Sequence, residues 1–170
     1  GGNTGKWAIA SAKFSPDIRV TIVDLPGQLN VAKQEVAANG LEAQVSFMAA
    51  DLLKDAVEFP KGFDAIWMSQ FLDCFSEDQI VSILKKCYGA LDDNGFIFIL
   101  EPFWDKQKLE IAAFCLQQTS LYFTAVANGN SQMYSAAVFF KCIEKAGFEI
   151  VEETNNIGLS QSLLKCKKLK

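Results

Sequence analysis

Short, continuously apolar stretches recur along this chain, each set off from the next by a segment with helical spacing. That alternation limits the fold more than any other feature. The stretches at 19–24, 44–49, 63–68 and 95–101 lack the strict in-out pattern of a strand with one wet face. A strand buried on both sides needs helices over both faces of its sheet, so these four are predicted to be parallel strands of an α/β fold. Helical segments fall at 5–14, 29–39 and 76–91. Leu25-Pro26-Gly27 stops the first strand, and Asn39-Gly40 is a C-cap signal. Ser76 is an N-cap with Glu77 and Asp78 in the first turn, where the helix dipole favours negative charge. Residues 92–95 read as a turn, 106–127 as a long helix broken at 128–130, and Ser135 as the cap of a helix to Ala146. Two last strands, 148–153 and 160–168, have no helix between them and are predicted to pair antiparallel. The fold class is α/β: a mostly parallel, doubly wound sheet with an antiparallel C-terminal strand pair. Lys165, Lys167, Lys168 and Lys170 read as the solvated face of an edge strand.

Length and composition narrow the function. One hundred and seventy residues suit one domain, and an apolar half can form a core. A net charge of −4 argues against non-specific nucleic-acid binding. The most apolar run, 96–100, is far short of the roughly 20 residues of a membrane span. The chain has no histidine, which removes Ser-His-Asp triads, imidazole bases and histidine-ligated zinc. Its five cysteines are widely spaced, without a C-x-x-C pair. They read as reduced thiols of a cytoplasmic protein, and no cluster suggests a metal. Trp7, Phe14, Phe59, Phe63 and Trp67 are candidate core residues. Phe114, Tyr122, Phe123, Phe139 and Phe140 recur at core-face helical spacing.

Three polar signals end successive strands or precede a helix. Gly1-Gly2-Asn3-Thr4-Gly5 is a glycine-rich loop at a helix start, where backbone can approach a ligand and free N–H groups attract negative charge. Asp24 ends the next strand, where an acid can accept both hydroxyls of a ribose. Asp51 follows the strand after that, where an adenine amino group would sit. Open α/β sheets bind ligands along this edge. Gly2-x-x-Gly5 with Asp24 also fits the tail of a G-x-G-x-x-G dinucleotide motif, so a nicotinamide-dependent oxidoreductase stays open on these residues.

In the order of its motifs the chain resembles the class I S-adenosylmethionine-dependent methyltransferases, specifically the small-molecule O-methyltransferases of plant and bacterial secondary metabolism. Gly1 to Gly5 match the end of their D-x-G-G-G-T-G, Asp24-Leu25-Pro26 their D-L-P, and Ala50-Asp51 their G-D. Residues 71–78 lie on their L-H-D-W-S-D-E stretch, Glu101 on a later carboxylate, and Ala146-Gly147-Phe148 on A-G-F. The resemblance implies a Rossmann-like methyltransferase fold, S-adenosyl-L-methionine as cofactor and a small-molecule methyl acceptor, with no nucleic-acid or membrane partner. It implies Gly1, Gly2 and Gly5 near the amino-acid part of the cofactor, Asp24 on its ribose and Asp51 on its adenine. Leu25 and Leu52 flank the adenine, and Ser69 joins the cofactor set. Asp73 stands where the family has its base histidine, and Glu101 where it has the carboxylate that orients that histidine. Phe75 replaces the family's tryptophan, and with Met133 and Tyr134 it is a candidate for the acceptor pocket.

The family motif follows a strand and an acid that are not in these residues. The chain is therefore expected to be the C-terminal catalytic part, 1–170, of a longer homodimeric protein with an N-terminal helical dimerisation domain. The missing histidine keeps a third reading open, a domain of this fold that binds its ligand without turnover.

Overall fold

The computed structural model describes residues 1–54 and 56–169. The chain forms two compact units, Gly1–Val57 and Glu58–Lys170.

The first unit is α1 (Lys6–Phe14), β1 (Val20–Asp24), α2 (Pro26–Ala38) and β2 (Val45–Ala49). β1 and β2 pair in parallel, with Val20 opposite Val45 and Asp24 opposite Ala49. Ala8 and Ala12 of α1 and Leu29, Ala32 and Val36 of α2 bury against Ile22 and Val45. Alanines four residues apart form one small-residue stripe that lets α1 sit close to the strands. Trp7 and Phe14 lie off that stripe and are exposed, Phe14 to 88%, against the expectation of core positions. Helix α2 begins three residues earlier than predicted. Pro26 starts the helix, at a position whose N–H has no intrahelical partner in any case. The Gln44 side-chain amide donates to the carbonyls of Ala12, Ser15 and Ile18 and so fixes the turn from α1 into β1.

The second unit holds β3 (Phe63–Ser69), α3 (Glu77–Ala90), β4 (Leu91–Pro102), α4 (Glu110–Phe123), α5 (Ala136–Lys145), β5 (Phe148–Ile157) and β6 (Gln161–Lys168). Its sheet runs β3-β4-β6-β5. β3 and β4 are parallel, and β6 is antiparallel to both of its neighbours. The core stripe of α3 is Ile80, Ile83, Leu84 and Cys87, and that of α5 is Ala136, Phe139, Cys142 and Ile143. Both have the three-and-four spacing of an amphipathic helix. On β4 the buried residues alternate, Ile97, Ile99, Glu101, so the strand's own period places a carboxylate on its most buried face.

Four expectations change. The parallel pairs fall in two sheets rather than one, and β1 and β3 are each paired on one side among the described residues. The last strand is interior, because β6 inserts between β4 and β5 and leaves β5 as the edge. Its lysines are engaged: Lys165 lies 4.2 Å over the Phe96 ring, Lys167 pairs with Glu149 and Lys168 reaches Asp93. Lys170 lies outside the described residues. Residues 92–95 belong to β4, which shifts register there; a Cβ on Gly95 would come within 2.9 Å of the Asp64 carbonyl. The long helix of 106–127 is instead a 3₁₀ turn (Trp104–Lys106), α4 and a π turn (Thr124–Asn128). Helix α4 buries no residue, so Phe114, Tyr122 and Phe123 are exposed while Phe139 is fully buried.

Candidate active site

In the first unit the glycine loop, Asp24 and Asp51 meet at the C-terminal end of the β1–β2 pair. The Gly2 N–H donates to the Val23 carbonyl (3.3 Å), and a Cβ on Gly2 would overlap the Ile22 side chain. Gly5 caps α1 at φ 77°, a left-handed conformation that favours glycine. Both Asp24 oxygens hold backbone: Oδ2 accepts from Asn3 N–H and Oδ1 from Leu25 N–H, each at 2.8 Å. Each oxygen has a second lone pair, so the pinned carboxylate still has acceptor capacity for hydroxyl donors. Asp51 caps its own turn, Oδ1 accepting from Leu53 N–H. The Ala50 N–H donates to the Asp24 carbonyl at 3.0 Å, which holds the two strand ends together. Leu25 is half-exposed beside them, and Leu52 is partly buried. The residues present thus fit an adenosyl group: an acid with free acceptor lone pairs, a close-approach glycine loop and an apolar side chain beside them.

In the second unit the chain leaves β3 at Ser69, and Gln70 N–H donates to the Leu100 carbonyl (2.9 Å) at the end of β4. A single 3₁₀ turn, Leu72–Cys74, follows. Glu101, 1% exposed, holds this turn from beneath: its Oε1 accepts from Phe71 N–H (2.9 Å) and Leu72 N–H (2.8 Å). Its Oε2 is buried without a hydrogen-bond partner. Burial and the neighbouring Asp73 charge push the Glu101 carboxyl up to about 8, against the pull of those N–H groups. Burial raises Asp73 as well. Two carboxyls that repel each other hold a proton more tightly than either would alone, and the repulsion is felt most at the more buried Glu101. The Cys74 thiol, 3.6 Å from Asp73 Oδ1 and aimed at it, is pushed up to about 11 by burial and by both carboxylates.

The sequence profile of the O-methyltransferase domain family matches residues 1–149. The chain belongs to this family. Among curated relatives, it is 26% identical over 148 residues to the L-tyrosine C(3)-methyltransferase of Streptomyces lavendulae, covering 87% of this domain and 39% of that protein. It is 33% identical over 108 residues to the 3-hydroxy-5-methyl-1-naphthoate 3-O-methyltransferase of Streptomyces sahachiroi, covering 64% and 31%. The apo structure of the S-adenosylmethionine-dependent methyltransferase SibL superimposes with a TM-score of 0.83 at 28% identity, over 100% of this domain and 49% of that chain. The domain therefore spans less than half the length of each of these proteins.

Within this O-methyltransferase domain, two acceptor-pocket candidates, Met133 and Tyr134, sit on a segment that grips the Asp73 turn, and the third, Phe75, closes that turn. Gln132 N–H donates to the Asp73 carbonyl (2.9 Å), and the Tyr134 hydroxyl donates to the Phe75 carbonyl (2.7 Å). Tyr134 is buried, Met133 is partly buried, and Phe75 stacks edge-on against Phe71 at 5.0 Å. The same segment is tied to the end of α4, through Met133 N–H to Ser120 Oγ and Thr124 Oγ1 to the Ser131 carbonyl. Sequence reasoning singled out Met133 and Tyr134 as candidates but not Gln132, because a contact between residues 59 apart leaves no local pattern. A concavity of about 690 Å³ lies elsewhere in this unit, lined by Phe140, Glu144, Ile150 and Glu152, and contains neither carboxyl of the pair.

Proposed function

We propose that this domain transfers a methyl group from S-adenosyl-L-methionine to a hydroxyl or related group of a small molecule. The observation that carries the reading is the meeting of the glycine loop, Asp24 and Asp51 at one strand end, in a chain of the O-methyltransferase domain family. The family match over 149 residues also favours it over a nicotinamide-dependent oxidoreductase.

When bound, the cofactor supplies an electrophilic methyl group. The chain's own residues bind, orient and handle a proton. Gly1, Gly2 and Gly5 take the amino-acid part, Asp24 the ribose hydroxyls and Asp51 the adenine, with Leu25 and Leu52 beside the ring and Ser69 in the cofactor set. Asp73 receives the acceptor's proton, and Glu101 holds the turn that carries it. Phe75, Met133 and Tyr134 shape the acceptor pocket. The two curated relatives named above methylate small aromatic molecules, which supports an acceptor of that kind.

The full-length protein is read as a homodimer. Helix α4 supports this, since it presents Ile111, Phe114, Leu121 and Tyr122 to the surface and buries none of its residues. Five free thiols fit the reducing cytoplasm. No helix among the described residues is long and apolar enough to cross a membrane. A second reading, a ligand-binding domain without turnover, draws on one residue, Asp73 where the family has its base histidine.

Transfer of a deuterated methyl group from labelled cofactor to a panel of aromatic hydroxyl and amine compounds tests the main reading. Labelled product is the expected result. Tight S-adenosylhomocysteine binding without transfer to any acceptor would favour the second reading.

A further inference from the structure

The groups at the Asp73 turn set limits on the acceptor, on the methyl-transfer reading above. The chain contains no histidine. The Tyr134 hydroxyl is committed to the Phe75 carbonyl, and the Cys74 thiol is directed at Asp73. Among the described residues no lysine or arginine forms an ion pair with Asp73 or Glu101. Glu101 Oε1 is used by the backbone, and its Oε2 is buried without a partner. Among the described residues, the group at this turn able to take up a proton is therefore a carboxylate, and no lysine or arginine is ion-paired with it.

We propose that the acceptor is an aromatic amine, bound neutral, whose nitrogen takes the methyl group first and gives its proton to Asp73 afterwards. A phenol holds its proton about a millionfold more tightly than an ordinary aspartate does, so a carboxylate is a poor base for it. An acceptor that arrives already ionised meets a pair of carboxyls with no ion-paired cation among the described residues to offset them. An aliphatic amine arrives as ammonium, its lone pair occupied, and needs the same strong base as a phenol. An aromatic amine has a free lone pair at neutral pH. Its nitrogen–carbon bond forms as the donor's sulfur–carbon bond breaks, and the electron pair of that bond leaves on sulfur as a thioether. The nitrogen then carries the positive charge, which a nearby carboxylate stabilises as it develops. Its proton is now acidic enough for Asp73 to remove, leaving a neutral N-methyl amine, and water takes the proton from Asp73.

The test uses the full chain with S-adenosylmethionine and sets of anilines and phenols matched in their ring substituents. S-adenosylhomocysteine affinity is measured on the same preparation. The anilines should be methylated with at least tenfold higher kcat/KM than their matched phenols. Asp73→His, which supplies an imidazole base, should move that ratio at least tenfold toward the phenols. In the S-adenosylhomocysteine complex, the N,N,N-trimethylanilinium cation, a mimic of the charged nitrogen, should bind at least tenfold more weakly to Asp73→Asn than to the unaltered chain. Faster methylation of phenols, transfer to neither class, an unmoved ratio in Asp73→His, or equal binding of the cation would each overturn the proposal. With S-adenosylhomocysteine still bound, these results leave the cofactor reading standing; loss of that binding in the unaltered chain overturns both.

Discussion

Glu101 shows how one residue's place in a strand sets its chemistry. The two-residue period of β4 puts it on the face of Ile97 and Ile99, and burial with the Asp73 charge holds its carboxyl up to about 8. In the unfolded chain it titrates near 4.5. Between those values the native state binds more protons than the unfolded state, so stability falls as pH rises from about 4.5 through 8. Asp73, also raised by burial, contributes in the same direction. Glu101→Gln keeps an oxygen for the Phe71 and Leu72 N–H groups but does not titrate. Melting temperatures measured from pH 5 to 8 should decline less in this variant than in the unaltered chain; parallel curves would show that Glu101 is already ionised at pH 5. Tyr134 gives a second test. Tyr134→Phe keeps the ring against Phe139, 5.8 Å away, and removes the donor to the Phe75 carbonyl. Urea unfolding should show a loss of about 1 kcal/mol, the usual size of such a hydrogen bond. Asp24, Asp51 and Glu101 were legible in the sequence as candidates because each ends a strand or matches a motif. The grip of 131–134 on the Asp73 turn was not, because it joins distant residues and follows no period.

Among the elements, helices with a regular apolar stripe were read correctly and irregular ones were not. The stripes of α3 and α5 carry their own three-and-four spacing and become the core. The segment 106–127 has as many apolar residues but no single face, and it divides into a 3₁₀ turn, α4 and a π turn. Helix α4 is the element on which the dimer reading depends. Leu121→Ser with Phe114→Ser changes two exposed positions and removes no core packing. In the full-length protein, sedimentation should show a dimer at least tenfold weaker in the double variant, with an unchanged melting temperature at dilutions where both are monomeric. An equally tight dimer would move the interface off α4.

At the scale of the molecule, the alternation of strands and helices foretold the α/β class and the antiparallel C-terminal pair. It did not foretell strand order. Whether the last strand lies at the edge or between two neighbours depends on long-range pairing, and the period of β6 is the same in either place. The residues proposed for the cofactor tell the same story at larger scale: their types were visible, and the meeting of the glycine loop, Asp24 and Asp51 at the end of β1 and β2 came from the fold. The central claim is that this meeting point is an S-adenosylmethionine site. Calorimetric titration of the full chain with S-adenosylhomocysteine and, separately, with NAD tests it most directly, with Asp24→Ala alongside. Removing a carboxylate that accepts from ligand hydroxyls forfeits charge-assisted hydrogen bonds of about 1.5–3 kcal/mol. The account predicts saturable binding of S-adenosylhomocysteine, no heat with NAD, and at least a tenfold loss of affinity in Asp24→Ala. Binding of NAD in preference, or undiminished S-adenosylhomocysteine affinity in a folded Asp24→Ala, would contradict it.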